Sequence, residues 1–556
     1  MIQVGISAFY HDSAVCVLKD GKVIVAAEEE RFTGIKHDNS WPEKALQWCL
    51  YEANIIDLNE VDEVCWYENP KIKKDRVIKI FNKRPFTTLF NRFKFLKSYK
   101  KEKNPEYILR KKWGYNGRIN FIDHHLSHAG FSYFTSPYKN AAILTVDGVG
   151  EWETITISKG DGENIQKLFS TNFPHSLGML YSTLTAYLGF KPNEGEYKVM
   201  GLAPYGNAGK YLEKLKTIFH NSGNTFWINQ KYFTWEYDDR IMFNNNFCKL
   251  LGIPPRLTEE PLTQDHKDLA AACQKLYELQ FLKLVRAAKL ATNSKNLVLG
   301  GGCAYNGVAN AKAYKYFDKV YIPFAPSDAG SAMGACLVSY KGERKNNTSP
   351  FLGPKFHEYE IRRIIETYGN KIKSYNLSDK DIIKKTAHLI NSGSVIGWFQ
   401  GRMEFGARAL GNRSILASPL VPNMKAKLNE VIKKREGFRP FAPSCIEEDS
   451  YGLFTNEESI PYMNQVVQVK KGVRSMPAIT HIDGSARVQT VTKEQNERYY
   501  LLLDRLKRIS GIPVCLNTSF NFKDQTITMT PEQAIDRFLD CEMDYLVIEN
   551  YLIEKI

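Results

Sequence analysis

FIDHHLSHAG at 121–130, followed by AILTVDGVGE at 142–151, sets a helix-forming run with histidines at 124, 125 and 128 against an apolar strand-like run that ends in Asp147. His124 and His128 are four apart, so on a helix both imidazoles project from one face at a separation that one metal ion can bridge. A carboxylate at the C-terminal end of a strand stands where α/β proteins place their chemistry. The stretch reads as α/β with a candidate metal site. The other reading of His124, His125 and His128 is an ordinary packed first turn of a helix.

Working outward, residues 1–8 read as a strand, and AVCVLKDGKVIVAAEEE reads as two alternating strands joined at Asp20-Gly21, a hairpin signal. A helix is expected from about Pro42 to Ala53, a strand near 119–123, strands at 140–147 and 151–158, and helices near 176–189 and from about His266 to Thr292. NLVLGGGCAYNGVANAKAY gives a strand, a glycine turn and a helix, and KVYIPFAPSDAGSAMGACLVSY repeats that grammar. Two such regions suggest a duplicated α/β core. The polar, Pro/Gly-bearing stretch from Lys341 to Phe356 predicts a domain boundary. The first domain then spans 1–345, and a second module of mixed helices and strands spans 357–556.

Of 556 residues, 43% are hydrophobic and 24% charged, which describes a globular chain. No run approaches the roughly 18 apolar residues of a membrane span, and MIQVGISAFYHDS lacks a basic region leading into an apolar one, so no membrane partner is expected and the expected location is cytoplasmic. Ten cysteines without a CxxC pair read as buried thiols. The formal charge is +14, and basic residues with interleaved aromatics concentrate at 70–114. That insertion suits either a solvated amphipathic face or contact with an anionic partner.

GGGCAYNG at 300–307 follows an apolar strand and offers backbone N–H groups to an anion, although it is neither GxGxxG nor a P-loop. Asp328, at another helix start, is either a cap or a further ligand. His124, His128, Asp147 and Asp328 would make a set of mixed N/O ligation suited to iron, manganese or zinc. In the second module Arg402, Arg408, Arg413, Lys433, Arg435, Arg439 and Arg487 crowd near glycines and aromatics, which predicts a phosphate or oxyanion cradle. Asn517, at a strand end, could orient a polar substrate there.

These segments together resemble the NodU/CmcH family of ATP-dependent O-carbamoyltransferases. GISAFYHDSAV, AAEEERFTGIKHD, DHHLSHAGFSYFTSP, LTVDGVGE, GEYKVMGLAPYG, GGGCAYNGVAN, PSDAGSAMGA, GRMEFGARALGNRSIL, KKREGFRPFAP, HIDGSARVQTV and LNTSFN carry the resemblance, in order, over nearly the whole chain. It implies an α/β protein with an N-terminal duplicated ASKHA (actin-like, RNase H-like) transfer domain and a C-terminal YrdC-like α/β domain. The latter would hydrolyse carbamoyl phosphate and join the carbamate to ATP, carried with Mg, as carbamoyl adenylate. The resemblance implies contacts to nucleotide or carbamoyl phosphate at Lys36, Gly148, Gly301, Gly302, Asn306, Arg408, Lys433, Arg439, Arg487 and Asn517, with Arg408, Lys433 and Arg439 in catalytic roles. His11 is the expected general base for the acceptor hydroxyl, because imidazole titrates near neutrality. Fe(II) is the expected metal, with Mn and Zn as alternatives, and His125 stays open as a ligand in place of His124. The acceptor is expected to be a small hydroxylated molecule of sugar, antibiotic or nucleoside type. The alternative is a nucleic acid, either tRNA or a hydroxymethylated base in DNA. The 70–114 insertion lies outside the shared pattern, and assembly as a homodimer stays open.

Overall fold

The structure, a computed structural model, describes residues 1–83, 102–223, 225–237, 241–344 and 349–556. The part of the basic insertion that carries Phe86, Phe90, Phe93, Phe95 and Tyr99 lies outside the described residues. The chain divides into two compact units, one of Met1–Glu29 with His37–Thr348 and one of Glu30–Lys36 with Ser349–Ile556. From sequence, 30–36 belonged to the first domain; it travels instead with the second unit. Among the described residues no helix is long and apolar enough to cross a membrane.

The first unit holds two sheets built to one plan. Strands β1 (Ile2–Ser7), β2 (Ala14–Lys19) and β3 (Lys22–Glu28) form an antiparallel meander, and β4 (Glu63–Trp66) and β5 (Arg118–Phe121) add in parallel, giving the order β3-β2-β1-β4-β5. Asp20 and Gly21 both take positive φ, 48° and 75°, so the two-residue turn twists with its strands as the Asp-Gly pair predicted. The second sheet repeats the meander with β6 (Asn140–Val146), β7 (Glu153–Asp161) and β8 (Asn164–Asn172), the last not expected from sequence. After a separate hairpin of β9 (Phe219–Ser222) and β10 (Thr225–Ile228), strands β11 (Asn296–Gly300) and β12 (Lys319–Tyr321) complete it in the order β12-β11-β6-β7-β8. In both sheets the first strand is central and its partners take the same relative positions. One α/β arrangement is thus used twice, as the repeated strand grammar predicted. β1 and β6 are almost wholly buried, as near-continuous apolar runs require.

One expected element is broken. After β11 the chain runs through a 3-10 turn (Gly302–Tyr305), a four-residue helix (Gly307–Asn310) and a second 3-10 turn (Ala311–Lys315) instead of one helix. Gly301 at φ 87° starts the break, and Asn306, whose side chain accepts from the Ala309 N–H, restarts the helix.

Two helices position the chemistry of this unit. His124–Phe134 and Asp328–Ser339 cross where neither can carry a side chain: a Cβ on Gly334 would stand 1.8 Å from the Ser127 carbonyl oxygen, and one on Gly130 would stand 3.0 Å from that of Gly334. The small residues of SDAGSAMGA thus serve close approach, which sets Asp328 opposite the histidines.

The second unit is an eight-stranded mixed sheet in the order β13-β22-β21-β14-β15-β20-β16-β19. Its strands are β13 (Ile372–Asn376), β14 (Ile396–Phe399), β15 (Arg413–Ala417), β16 (Ala442–Ile446), β19 (Gln489–Val491), β20 (Val514–Ser519), β21 (Tyr545–Ile548) and β22 (Tyr551–Lys555), with β17 (Val466–Gln468) and β18 (Ser485–Arg487) paired separately. Ile396, Trp398, Leu416, Leu502, Leu503 and Val547 form part of its core. The Glu30–Lys36 segment is held there by Arg31, whose Nη2 donates to the Gly406 carbonyl at 2.9 Å.

Candidate metal centre and anion site

The loop that follows β6 delivers Asp147, and the helix at 124–134 delivers two histidines to the same point. His124 Nε2 and His128 Nε2 lie 3.1 Å apart and 2.9 and 3.0 Å from Asp147 Oδ2. Asp328 Oδ1 completes the group, 3.7 Å from His124 Nε2 and 3.4 Å from His128 Nε2. All four side chains are buried, and neither Asp328 oxygen accepts a hydrogen bond. A buried carboxylate left that way costs several kcal/mol unless a cation answers it.

The surroundings orient these ligands. Ser331 Oγ lies 2.9 Å from His128 Nδ1, which leaves Nε2 to face the cluster. Gly302 N–H donates to Asp147 Oδ1 at 3.2 Å, which turns Oδ2 toward the histidines. Glu151 accepts the His124 N–H at 3.0 and 3.2 Å, a carboxylate at a helix N-terminus. Burial opposes a charged His128, but Asp147 and Asp328 outweigh it and push the ring up to about 9. Burial likewise opposes ionisation of Asp147, yet hydrogen bonds from His124 and His128 hold it well below the usual range.

His125 is engaged elsewhere. Its Nδ1 lies 2.6 Å from Thr145 Oγ1 and its Nε2 3.0 Å from the Glu153 carbonyl, so both nitrogens are committed. Burial and then the neighbouring histidines push its pKa well below the ordinary value. The choice left open by spacing therefore falls on His124.

The loop after β1 corresponds in position to the loop after β6. Phe9 and Asp12 take φ of 76° and 50°, strained for these residues. The loop is held by the Phe9 N–H on the Asn39 carbonyl at 3.0 Å and by Asp12, which lies 3.0 Å from His11 Nδ1 and 2.6 Å from His37 Nδ1. Burial disfavours a charged His11, but Asp328, Asp12 and Asp147 together push it up to about 10.

The glycine turn departs from its expected role. Gly301 N–H goes to the Pro326 carbonyl at 2.9 Å and Gly302 N–H to Asp147, so these donors are not presented to a phosphate. Gly148 receives the Ser176 hydroxyl on its carbonyl at 2.7 Å, and Asn306 pairs its amide with Gln274 at 3.0 and 3.1 Å.

In the second unit the cationic residues divide. Arg413 is scaffold: fully buried over Phe399, it donates to the carbonyls of Gln400, Asn412, Pro354 and Gly401. Arg402 likewise donates to the Leu352 carbonyl at 3.0 Å. Both correct the expectation that every arginine of this motif lines a cradle. Arg487 differs, since burial and then Arg408, Arg435 and Arg439 depress its pKa far below the ordinary value and its Nε has no acceptor. The loop bearing Arg408 is tied by Glu404 Oε1, which accepts the N–H groups of Leu410, Asn412 and Arg413 at 2.7, 2.7 and 3.2 Å. Lys433 follows a π-helical stretch (Lys427–Ile432) and donates to the Ser519 carbonyl and to both oxygens of Asn521. Burial depresses it strongly, and Arg435, Arg439, Arg537 and Lys36 add to that. Lys36 thus joins the cationic group. Asn517 Nδ2 donates to Gln489 Oε1, Ser444 Oγ and the Ala409 carbonyl at 3.0, 3.1 and 3.3 Å.

Sequence reasoning missed Ser331, Glu151 and Glu404. Of these only Ser331 left a signal, three residues beyond Asp328 on one helix face.

Comparison with known proteins agrees across both units. Residues 2–337 match the family profile described as carbamoyltransferase N-terminus, and 387–555 the one described as carbamoyltransferase C-terminus. The uncharacterized protein sll1178 of Synechocystis is 39% identical over 99% of this chain and 96% of its own length. Nodulation protein NolNO of Sinorhizobium fredii is 34% identical over 99% of this chain and 80% of its own. The uncharacterized protein MJ1058 of Methanocaldococcus jannaschii is 29% identical over 99% of both.

Proposed function

Because the chain belongs to the carbamoyltransferase family, we propose that it moves a carbamoyl group from carbamoyl phosphate to a hydroxyl of a small molecule, in two ATP-dependent stages. In the second, YrdC-like unit, water cleaves carbamoyl phosphate to carbamate and phosphate. The carbamate oxygen then attacks the α-phosphorus of Mg-bound ATP and releases pyrophosphate. In the first unit the acceptor oxygen attacks the carbamoyl carbon, AMP leaves, and the hydroxyl proton passes to a base.

The observation that carries this reading is the buried cluster of His124, His128, Asp147 and Asp328, in which neither Asp328 oxygen accepts a hydrogen bond and the two histidines are its nearest partners. These four would hold a divalent ion, and their mixed nitrogen and carboxylate set suits Fe(II), with Mn and Zn as alternatives. Such an ion supplies Lewis acidity toward a carbonyl oxygen. His11 would take the hydroxyl proton on Nε2 once a cation offsets Asp328 and Asp147, two of the three carboxylates that raise its pKa, with Asp12 engaging Nδ1 at 3.0 Å. Arg408, Arg439 and Arg487 bind phosphate oxygens in the second unit, where three guanidinium groups in mutual repulsion are relieved by a polyanion. Lys433, held by carbonyls, keeps the 519–521 turn in place beside them.

The test separates the stages. Carbamoyl phosphate-dependent exchange of pyrophosphate into ATP is expected to fall at least about 100-fold in Arg439→Ala, as loss of a charge-assisted contact to a phosphate predicts. The same exchange is expected to survive in Asp328→Asn. Exchange that persists in Arg439→Ala would remove the adenylate-forming step from this unit.

A further inference from the structure

Beside the metal cluster sits a cation that the proposed stages leave unused. Arg76, on the helix Pro70–Lys83, is 8% exposed. Its Nη1 donates to the Gly150 carbonyl at 2.9 Å, its guanidinium stands 5.3 Å from the Phe173 ring centroid, and its Nε is sealed from water with no acceptor. Gly150 in turn lies directly on a ligand, since a Cβ there would come within 2.9 Å of His124 Cβ and Cδ2. Tyr10 lies in the fields of Asp147, Asp328 and Arg76 at once.

The nearby acids are committed to other groups. Glu68 holds Lys73 Nζ with both oxygens at 2.8 Å. Glu151 accepts the N–H groups of Asn69 and His124 at 2.5 and 3.0 Å, and so ties the start of the Arg76 helix to the start of the histidine helix. Among the described residues no carboxylate forms an ion pair with Arg76. Burial opposes the Arg76 charge, Glu68 and Glu151 offset that only from a distance, and a guanidinium with an unused Nε–H there gains from an anion in direct contact.

We infer that Arg76 is an anion-binding residue beside the metal cluster, taking a phosphate group of the substrate next to His124. Two sources share that chemistry: the phosphate of the adenylate, or a phosphate carried by the acceptor itself. The inference rests on the reading of this cluster as the transfer site. It also gives the helix that opens the basic insertion a place in substrate choice.

The full chain loaded with Mn(II) provides the test, because bound Mn(II) broadens the phosphorus resonance only of a phosphate close to it. AMP and glucose 6-phosphate are the two probes. Broadening of either is expected in the native protein and in Arg76→Lys, with affinity lower by about 10- to 100-fold in Arg76→Met. Broadening of AMP names the adenylate as the source, and broadening of glucose 6-phosphate names the acceptor. Failure of the native chain to bind Mn(II) overturns the transfer-site reading and the inference with it. Bound Mn(II) with no broadening in the native chain, or equal broadening in Arg76→Met, overturns the inference alone.

Discussion

At the residue scale, adjacent histidines do opposite work. His124 and His125 are indistinguishable by spacing from His128, yet about 100° of helix rotation sends one into the cluster and the other toward Thr145 and Glu153. Asp328→Asn or His124→Ala is accordingly expected to abolish stoichiometric metal, measured by elemental analysis of the dialysed protein. His125→Ala is expected to retain metal while losing about 2–4 kcal/mol of stability in urea unfolding, from a cavity and a stranded Thr145 hydroxyl. Metal lost equally in both would mean that His125 is a ligand. His481 supplies a pH signature away from this centre. Burial pushes its ring down to about 4; Asp483 opposes this, and Arg487 and Lys425 reinforce it. The unfolded ring, near 6.5, binds the extra proton between those values. Stability is therefore full above pH 6.5 and declines toward pH 4, by at most about 3 kcal/mol. His481→Gln should flatten that slope, and an unchanged slope would assign the acid sensitivity to other groups.

At the scale of elements, the metal cluster depends on how closely two helices approach. Gly334 meets the Ser127 carbonyl where a Cβ would stand at 1.8 Å, so Gly334→Ala must drive the Asp328 helix away from His124. The expected result is a loss of about 2 kcal/mol or more together with weaker Mn(II) binding, read by urea unfolding and metal titration. Native metal affinity in that variant would show that the crossing does not set the ligand geometry. The elements themselves were largely legible, because their signals are local. Asp20-Gly21 could only be a tight turn, and the apolar run ending at Asp147 could only be a buried strand. What local pattern could not show was partnership. Nothing in ERFTGIK signals that Arg31 would seek the Gly406 carbonyl in a different unit from its flanking strands. Nor did GGGCAYNG signal that Asn306 would interrupt the helix it seemed to begin. Nor does GRMEFGARALGNRSI signal that Arg413 would spend its guanidinium on the backbone carbonyls of Gln400 and Pro354.

At the scale of the whole molecule, the formal charge of +14 is a poor guide to the surface. Arg31, Arg76, Arg256, Arg413 and Lys433 are buried and serve carbonyls or enclosed sites, while Lys73 is neutralised by Glu68. Within the described part of the basic insertion, Lys73 and Arg76 are both engaged in internal contacts. The same accounting predicts how the molecule answers its metal. A cation that binds only the folded cluster stabilises by mass action, about 2.7 kcal/mol at 100 times the dissociation constant. Chelation followed by graded Mn(II) is thus expected to raise the thermal midpoint with the logarithm of free metal. Asp328→Asn should remove that dependence, because the carboxylate with two unanswered oxygens is the group a cation relieves. An equal rise in Asp328→Asn would locate the stabilising ion outside the cluster. A rise in neither protein, with metal present in both, would mean that the unfolded chain competes for the ion through the same histidines.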